Sequence, residues 1–311
     1  MSAIRVVGAT TLFGLLEAAS GIAQTPPPEP AQPVEFRTGV GGVYVDAFVT
    51  RGERPVPDLK ASSFELLDNG VPQQIELLSA ETRPLRAVLL FDTSSSMAGD
   101  RLEALRAAGG AFLDGLRPAD EAALVAFNED VQWLCEATVD KGRVRQALSR
   151  LRASGATSVY DALYSGIALS EGERRSLIVL FSDGEDNTSW LGESDLRTAA
   201  RRSNALVHVV GWREPLPPEL LRKRPLPRES PQERALREIA EAAGGRYWEA
   251  DSPERLRRAF SAIADAMGHR YVLRYEPTGV PREGWHRIDA RLRGVKGDVH
   301  VRRGYWIAGG G

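Results

Sequence analysis

The sequence predicts a doubly wound, mostly parallel α/β sheet inserted between two β segments that pack together as a small sandwich-like domain. Three observations carry this. Ala87-Val88-Leu89-Leu90-Phe91 is an unbroken apolar run, as expected of a strand covered on both faces, and similar runs recur at 122–127, 177–181 and 205–210. Segments of helical periodicity separate these runs, which implies a parallel sheet. On either side, at 34–82 and 269–307, the pattern changes to period two.

The N-terminus reads as a secretory signal over 1–23. Arg5 supplies a positive charge, Val6 to Leu16 an apolar stretch closed by Glu17, and Gly21-Ile22-Ala23 small residues at cleavage spacing. The run is too short to span a bilayer, and no later segment has the roughly 18 apolar residues a spanning helix needs. The expected protein is exported, to the periplasm or beyond, without stable membrane insertion. Residues 24–33 follow as a proline-rich spacer. The single cysteine, Cys135, permits no internal disulfide and reads as a buried thiol.

In the first β segment, Val43 to Val49 alternates, and Phe64 to Leu67 and Gln73 to Leu78 flank the turn signal Asp68-Asn69-Gly70. The domain at 83–268 opens with the strand at 87–91. A helix follows, carrying Leu102, Leu105, Phe112, Leu113 and Leu116, with Asp100 placed to cap it and Pro118 beyond its end. An edge strand is expected over 131–137, and helices near 141–152, 158–170, 194–203, 232–243 and 253–267. Arg213 to Pro231 holds six prolines and reads as an exposed loop.

In the last segment, His286, Ile288, Ala290 and Leu292 alternate with polar residues. Neither β segment can bury a sheet face alone, so they are expected to pair. Residues 34–80 carry four basic and seven acidic side chains and 270–307 nine and four, opposite signs that favour the pairing. Forty basic against forty-two acidic residues overall leave a charge of -2, which argues against nucleic acid as a partner.

In doubly wound sheets, loops at the carboxyl ends of the strands bind ligands where strand order reverses. The first strand ends in Asp92-Thr93-Ser94-Ser95-Ser96 and the strand 177–181 in Ser182-Asp183-Gly184, while Gly155-Ala156-Thr157-Ser158 opens a helix nearby. Asp92, Ser94, Ser96, Thr157 and Asp183 offer only oxygens, a set that suits Mg²⁺ or Mn²⁺ better than Zn²⁺. This pattern resembles the metal-ion-dependent adhesion site of von Willebrand factor type A domains, a Rossmann-like fold. The resemblance implies that the serines ligate the ion directly, that Asp92 and Asp183 act largely through bound waters, and that Thr157 contacts the ion in some states. Ser95 stands where that loop most often has glycine. Phe36-Arg37-Thr38, Asp58-Leu59, Asp68-Asn69-Gly70-Val71-Pro72 and Arg303-Gly304-Tyr305-Trp306 are similar to the VWFA-related acidobacterial family of exported proteins.

The implied function is a non-enzymatic protein-binding module that captures an Asp or Glu side chain of a protein partner through the metal. Two alternatives are a metal-dependent hydrolase and a scaffold with an empty site. No nucleophile elbow or phosphate-binding loop occurs, and the histidines at 208, 269, 286 and 300 show no triad spacing. Mass spectrometry of the exported protein should find the mature N-terminus at or close to Gln24; an intact Met1 would refute the signal reading.

Overall fold

The computed structural model describes residues 42–51, 54–78, 84–170, 175–183, 186–203, 205–213 and 229–307. The expected signal, the proline-rich spacer, Phe36-Arg37-Thr38 and most of the 213–231 loop lie outside them. In chain order the described residues form β1 Val43–Arg51, β2 Arg54–Pro55, β3 Phe64–Asp68, β4 Val71–Pro72, β5 Glu76–Leu78, β6 Leu85–Asp92, β7 Glu121–Phe127 and β8 Val131–Thr138. Then come β9 Arg175–Ser182, β10 Leu206–Trp212, β11 Tyr247–Ala250, β12 Tyr271–Tyr275, β13 Gly284–Leu292, β14 Asp298–Val301 and β15 Gly304–Ile307.

The central sheet has the order β11-β10-β9-β6-β7-β8. Only the edge pair β7 and β8 is antiparallel; β6 runs parallel to both β7 and β9. Helices cover both faces, which is why the strands read as continuous apolar runs. On one face Leu89, Phe91, Leu124, Val179 and Phe181 meet the helices Asp100–Gly115, Lys141–Ser149 and Pro253–Gly268. Phe91, Phe112 and Phe260 pack there edge to face, at 5.6 and 6.3 Å between ring centroids. The alternate residues Val88, Leu90, Val125, Ile178 and Leu180 meet the helices Val159–Leu169, Glu193–Arg202 and Pro231–Ala242. The chain leaves β6 toward β7 and later returns to β9 on the other side, so strand order reverses between β6 and β9.

The flanking segments form two further sheets, β14-β1-β12-β5 with β2 on β1, and β15-β13-β3-β4. β1 lies antiparallel between β12 and β14, and β3 pairs with β13, so each sheet combines N-terminal and C-terminal strands, alternating in the first and meeting only at β3 and β13 in the second. Val45, Ala47, Val49, Leu66, Leu273, Tyr275 and Ile288 fill the space between them. Phe48, on the opposite side of β1, joins the core of the α/β domain and approaches His208 edge-on at 6.4 Å.

A polar knot closes this sandwich. Asp68 and His286 are 0% exposed. The Asp68 carboxylate accepts the hydroxyls of Tyr275 at 2.8 Å and Tyr305 at 2.7 Å, and lies 2.9 Å from His286 Nδ1. The Tyr305 ring stacks on His286 at 4.7 Å. Burial and the neighbouring acidic groups push both tyrosine hydroxyls upward, which keeps them neutral donors.

Three local expectations need correction. Of the segment Gln73 to Leu78, only Gln73 bonds back onto β3, its N–H donating to the Leu66 carbonyl at 2.9 Å. The Asn69-Gly70 turn, with φ of 47° and 82°, closes only the short β3–β4 hairpin, after which the chain crosses to the other sheet as β5. Asp100 is the first helical residue rather than the cap; Gly99 holds the cap position, at φ 77°. The sheet also has a sixth strand, β11, whose four residues lie between two strongly amphipathic helices and give too short a run to stand out.

Replacing Asp68 with alanine strands two tyrosine hydroxyls and an imidazole in the sandwich core. Chemical denaturation should show a loss of about 3 kcal/mol or more; a loss under about 0.5 kcal/mol would mean the knot contributes little.

Candidate metal centre

Parallel pairing sets Phe91 opposite Phe181, so β6 and β9 end side by side and deliver Asp92 and Asp183 to the same edge. Beyond Asp92 the chain is held in place. The Thr93 N–H and hydroxyl both donate to the Phe127 carbonyl, at 2.7 and 3.0 Å. The Ser94 N–H donates back to Asp92 Oδ1 at 2.8 Å, forming an Asx-type turn. Met97, 0% exposed, anchors the loop in the core, and Gly99 at positive φ turns the chain into its helix.

A second loop is laced to the first. The Ser95 N–H donates to the Gly155 carbonyl at 3.0 Å and the Ser154 N–H to the Thr93 carbonyl at 2.8 Å. Gly155 has φ 76°, and a Cβ there would fall 1.5 Å from Glu129 Oε2, whose carboxylate accepts the Ala156 N–H at 2.7 Å. The positive φ favours glycine here, and a side chain would also displace the Glu129 carboxylate. Thr157, 5% exposed, is positioned through its backbone: its N–H donates to Asn187 Oδ1 at 2.9 Å and its carbonyl accepts the Asn187 N–H at 3.0 Å.

Four of the five residues singled out above form one hydrogen-bonded chain. Ser94 Oγ lies 3.0 Å from Ser96 Oγ, and Ser96 Oγ donates to Asp183 Oδ1 at 2.8 Å. With the Ser94 to Asp92 bond, this runs unbroken from one carboxylate to the other. Thr157 arrives on the laced neighbouring loop. Gly184 and Glu185 lie outside the described residues.

Sequence reasoning missed three participants. The Ser182 hydroxyl donates to Asp92 Oδ2 at 2.7 Å; both residues directly follow the paired Phe91 and Phe181, which could have pointed to it. Asn187 pins Thr157, and nothing in its local pattern marks it. Arg101 donates to Asp183 Oδ2 at 2.7 Å and to the Ser96 carbonyl at 3.2 Å. Its position in the first turn of a helix gives no hint of that contact.

Asp92 is 0% exposed. Burial lifts its carboxyl above the usual carboxylate range and the Asp183 charge pushes the same way, while donors from Ser94 and Ser182 offset part of the effect. The Asp183 side chain is also 0% exposed and has the Arg101 guanidinium beside it. Two buried carboxylates joined by hydroxyls form an all-oxygen, anionic donor set, which fits a hard divalent cation. Among the described residues no group of three or more His, Cys, Asp or Glu side chains is placed to hold a metal, so the hydroxyls are essential to any such site.

Residues 87–185 match the von Willebrand factor type A domain. An uncharacterized protein of Synechocystis is 32% identical over 138 residues, which cover 42% of this chain and 32% of that protein. A UPF0353 protein of Mycolicibacterium paratuberculosis is 24% identical over 205 residues, covering 60% of this chain and 61% of the relative. The chain therefore spans about a third to three fifths of the length of these two relatives. A von Willebrand factor type A protein from Catenulispora acidiphila is similar in structure, with a TM-score of 0.49 at 16% identity, covering 82% of this chain and 74% of that one. Residues 87–185 of this chain are a von Willebrand factor type A domain, and Asp92, Ser94, Ser96, Thr157 and Asp183 all lie within it.

Proposed function

We propose that this protein is a binding module that takes Mg²⁺ or Mn²⁺ among Asp92, Ser94, Ser96, Thr157 and Asp183 and uses it to capture an Asp or Glu side chain of a protein partner. Domains of this type are commonly metal-dependent protein-interaction modules. The observation that carries the proposal is the unbroken chain Asp92, Ser94, Ser96, Asp183 at the reversal point of the sheet. Ser94 and Ser96 would supply hydroxyl ligands. Asp92 already accepts bonds at both oxygens, from Ser94 and Ser182, which suits a carboxylate that acts through water. Two carboxylates balance a divalent charge and three hydroxyls add none, so a bound ion would remain electrophilic toward an incoming carboxylate. Export is part of the same reading and rests on Arg5, the apolar run and Gly21-Ile22-Ala23. Among the described residues no helix is long and apolar enough to cross a membrane.

The test variant needs care, because removing buried Asp92 also orphans the Ser94 N–H and the Ser182 hydroxyl, at about 1–3 kcal/mol. Ser96 is exposed and makes the cleaner lesion. Calorimetric titration should show one divalent-ion site in the wild type and its loss in Ser96→Ala combined with Ser94→Ala, with melting little changed. A wild type that binds neither Mg²⁺ nor Mn²⁺ at millimolar concentration refutes the proposal. Arg101 places a cation where the ion's charge would fall, so Arg101→Gln should tighten Mg²⁺ binding by about tenfold. Unchanged or weaker affinity would show that Arg101 does not oppose the ion.

A further inference from the structure

Trp190 is 97% exposed, the most exposed of the large apolar side chains among the described residues. A loose loop would make this unremarkable, but the loop is clamped. Asp161, in the first turn of the helix that follows Thr157, accepts the N–H groups of Trp190 and Leu191, each at 3.0 Å. The Ser189 hydroxyl accepts the Asp161 N–H at 3.1 Å. Asp186 accepts the N–H groups of Tyr160 at 2.9 Å and Ser189 at 3.2 Å. Asn187 and Thr157 exchange bonds in both directions. The same segment that positions Thr157 therefore holds Trp190 out, three residues further along. Leu191 turns partly inward while its neighbour's indole stays in water.

A tryptophan on a clamped backbone loses little main-chain freedom on contact and offers a large apolar area, and tryptophan is among the residues enriched in binding hot spots. The chemistry around it selects the kind of surface it can meet. Residues 186–196 contain Asp186, Glu193 and Asp195 and no basic side chain. An anionic lipid surface would be repelled there, whereas a protein segment can bring its own apolar and basic groups.

We infer that Trp190 is an apolar anchor for the partner of the metal centre, a protein segment that presents an acidic side chain beside an apolar one. This rests on the proposed metal-dependent capture of a carboxylate and adds a second contact point to it. The carboxylate goes to the ion and the apolar neighbour packs on the indole, so recognition requires both at one spacing.

The test uses a displayed peptide library with one fixed Asp and randomised flanks, selected on the full chain in Mg²⁺. Wild type should enrich peptides with an apolar residue at a consistent distance from the Asp. Those peptides should bind Trp190→Ala about tenfold more weakly or worse, Trp190→Phe should recover most of the affinity, and chelator should abolish all binding. The Trp190→Ala protein should melt like wild type. Equal affinity for wild type and Trp190→Ala, with binding still lost in chelator and in Ser96→Ala, would overturn the anchor and leave the metal reading standing. No enrichment, or enrichment indifferent to chelator and Ser96→Ala, would overturn both. Trp190-dependent binding to phosphatidylcholine or phosphatidylglycerol vesicles would assign the residue to a membrane and overturn the anchor.

Discussion

The parallel pairing of β6 with β9 is the constraint on which the rest depends. Strands buried on both faces must be apolar to their ends, because their backbone bonds are made and neither face sees water. The first places where polar chemistry can appear are the loops beyond those ends. With Phe91 set against Phe181, the next residues along both strands are polar, and two carboxylates arrive at one edge. Their burial then dictates the surroundings. The Ser94 N–H, the Ser182 hydroxyl, the Ser96 hydroxyl and the Arg101 guanidinium are all turned toward them.

Much of this was legible because it is local. The apolar runs, the helix periodicities and the spacing of Asp92, Ser94 and Ser96 are properties of short windows, and Asp183 follows once its strand is recognised. What escaped depends on contacts between distant segments. Asp68 and Tyr305 are 237 residues apart in sequence, yet share a buried hydrogen bond. The same holds for Asn187 with Thr157 and Arg101 with Asp183, where neither partner carries a mark of the other. β11 was lost for another reason: a four-residue edge strand has too few positions to show a period.

The two halves of the molecule use polar groups differently. In the sandwich, Asp68, Tyr275, His286 and Tyr305 are enclosed, and their bonds to one another fix how two sheets meet. At the reversal point the polar groups are equally buried at Asp92 and Ser94, yet the chain opens at Ser96, which is exposed. One network is closed and specifies packing; the other has an outlet.

The pairing of early with late strands in each small sheet has a temporal consequence. Apart from its short hairpin with β2, β1 finds its neighbours only when β12 and β14 exist, more than two hundred residues later in the chain. Such distant contacts carry a large loop-closure entropy while the intervening chain is unfolded. Once the inserted α/β domain has folded, its two ends leave close together and most of that entropy is already spent. Assembly of the outer strands then becomes a short-range docking step.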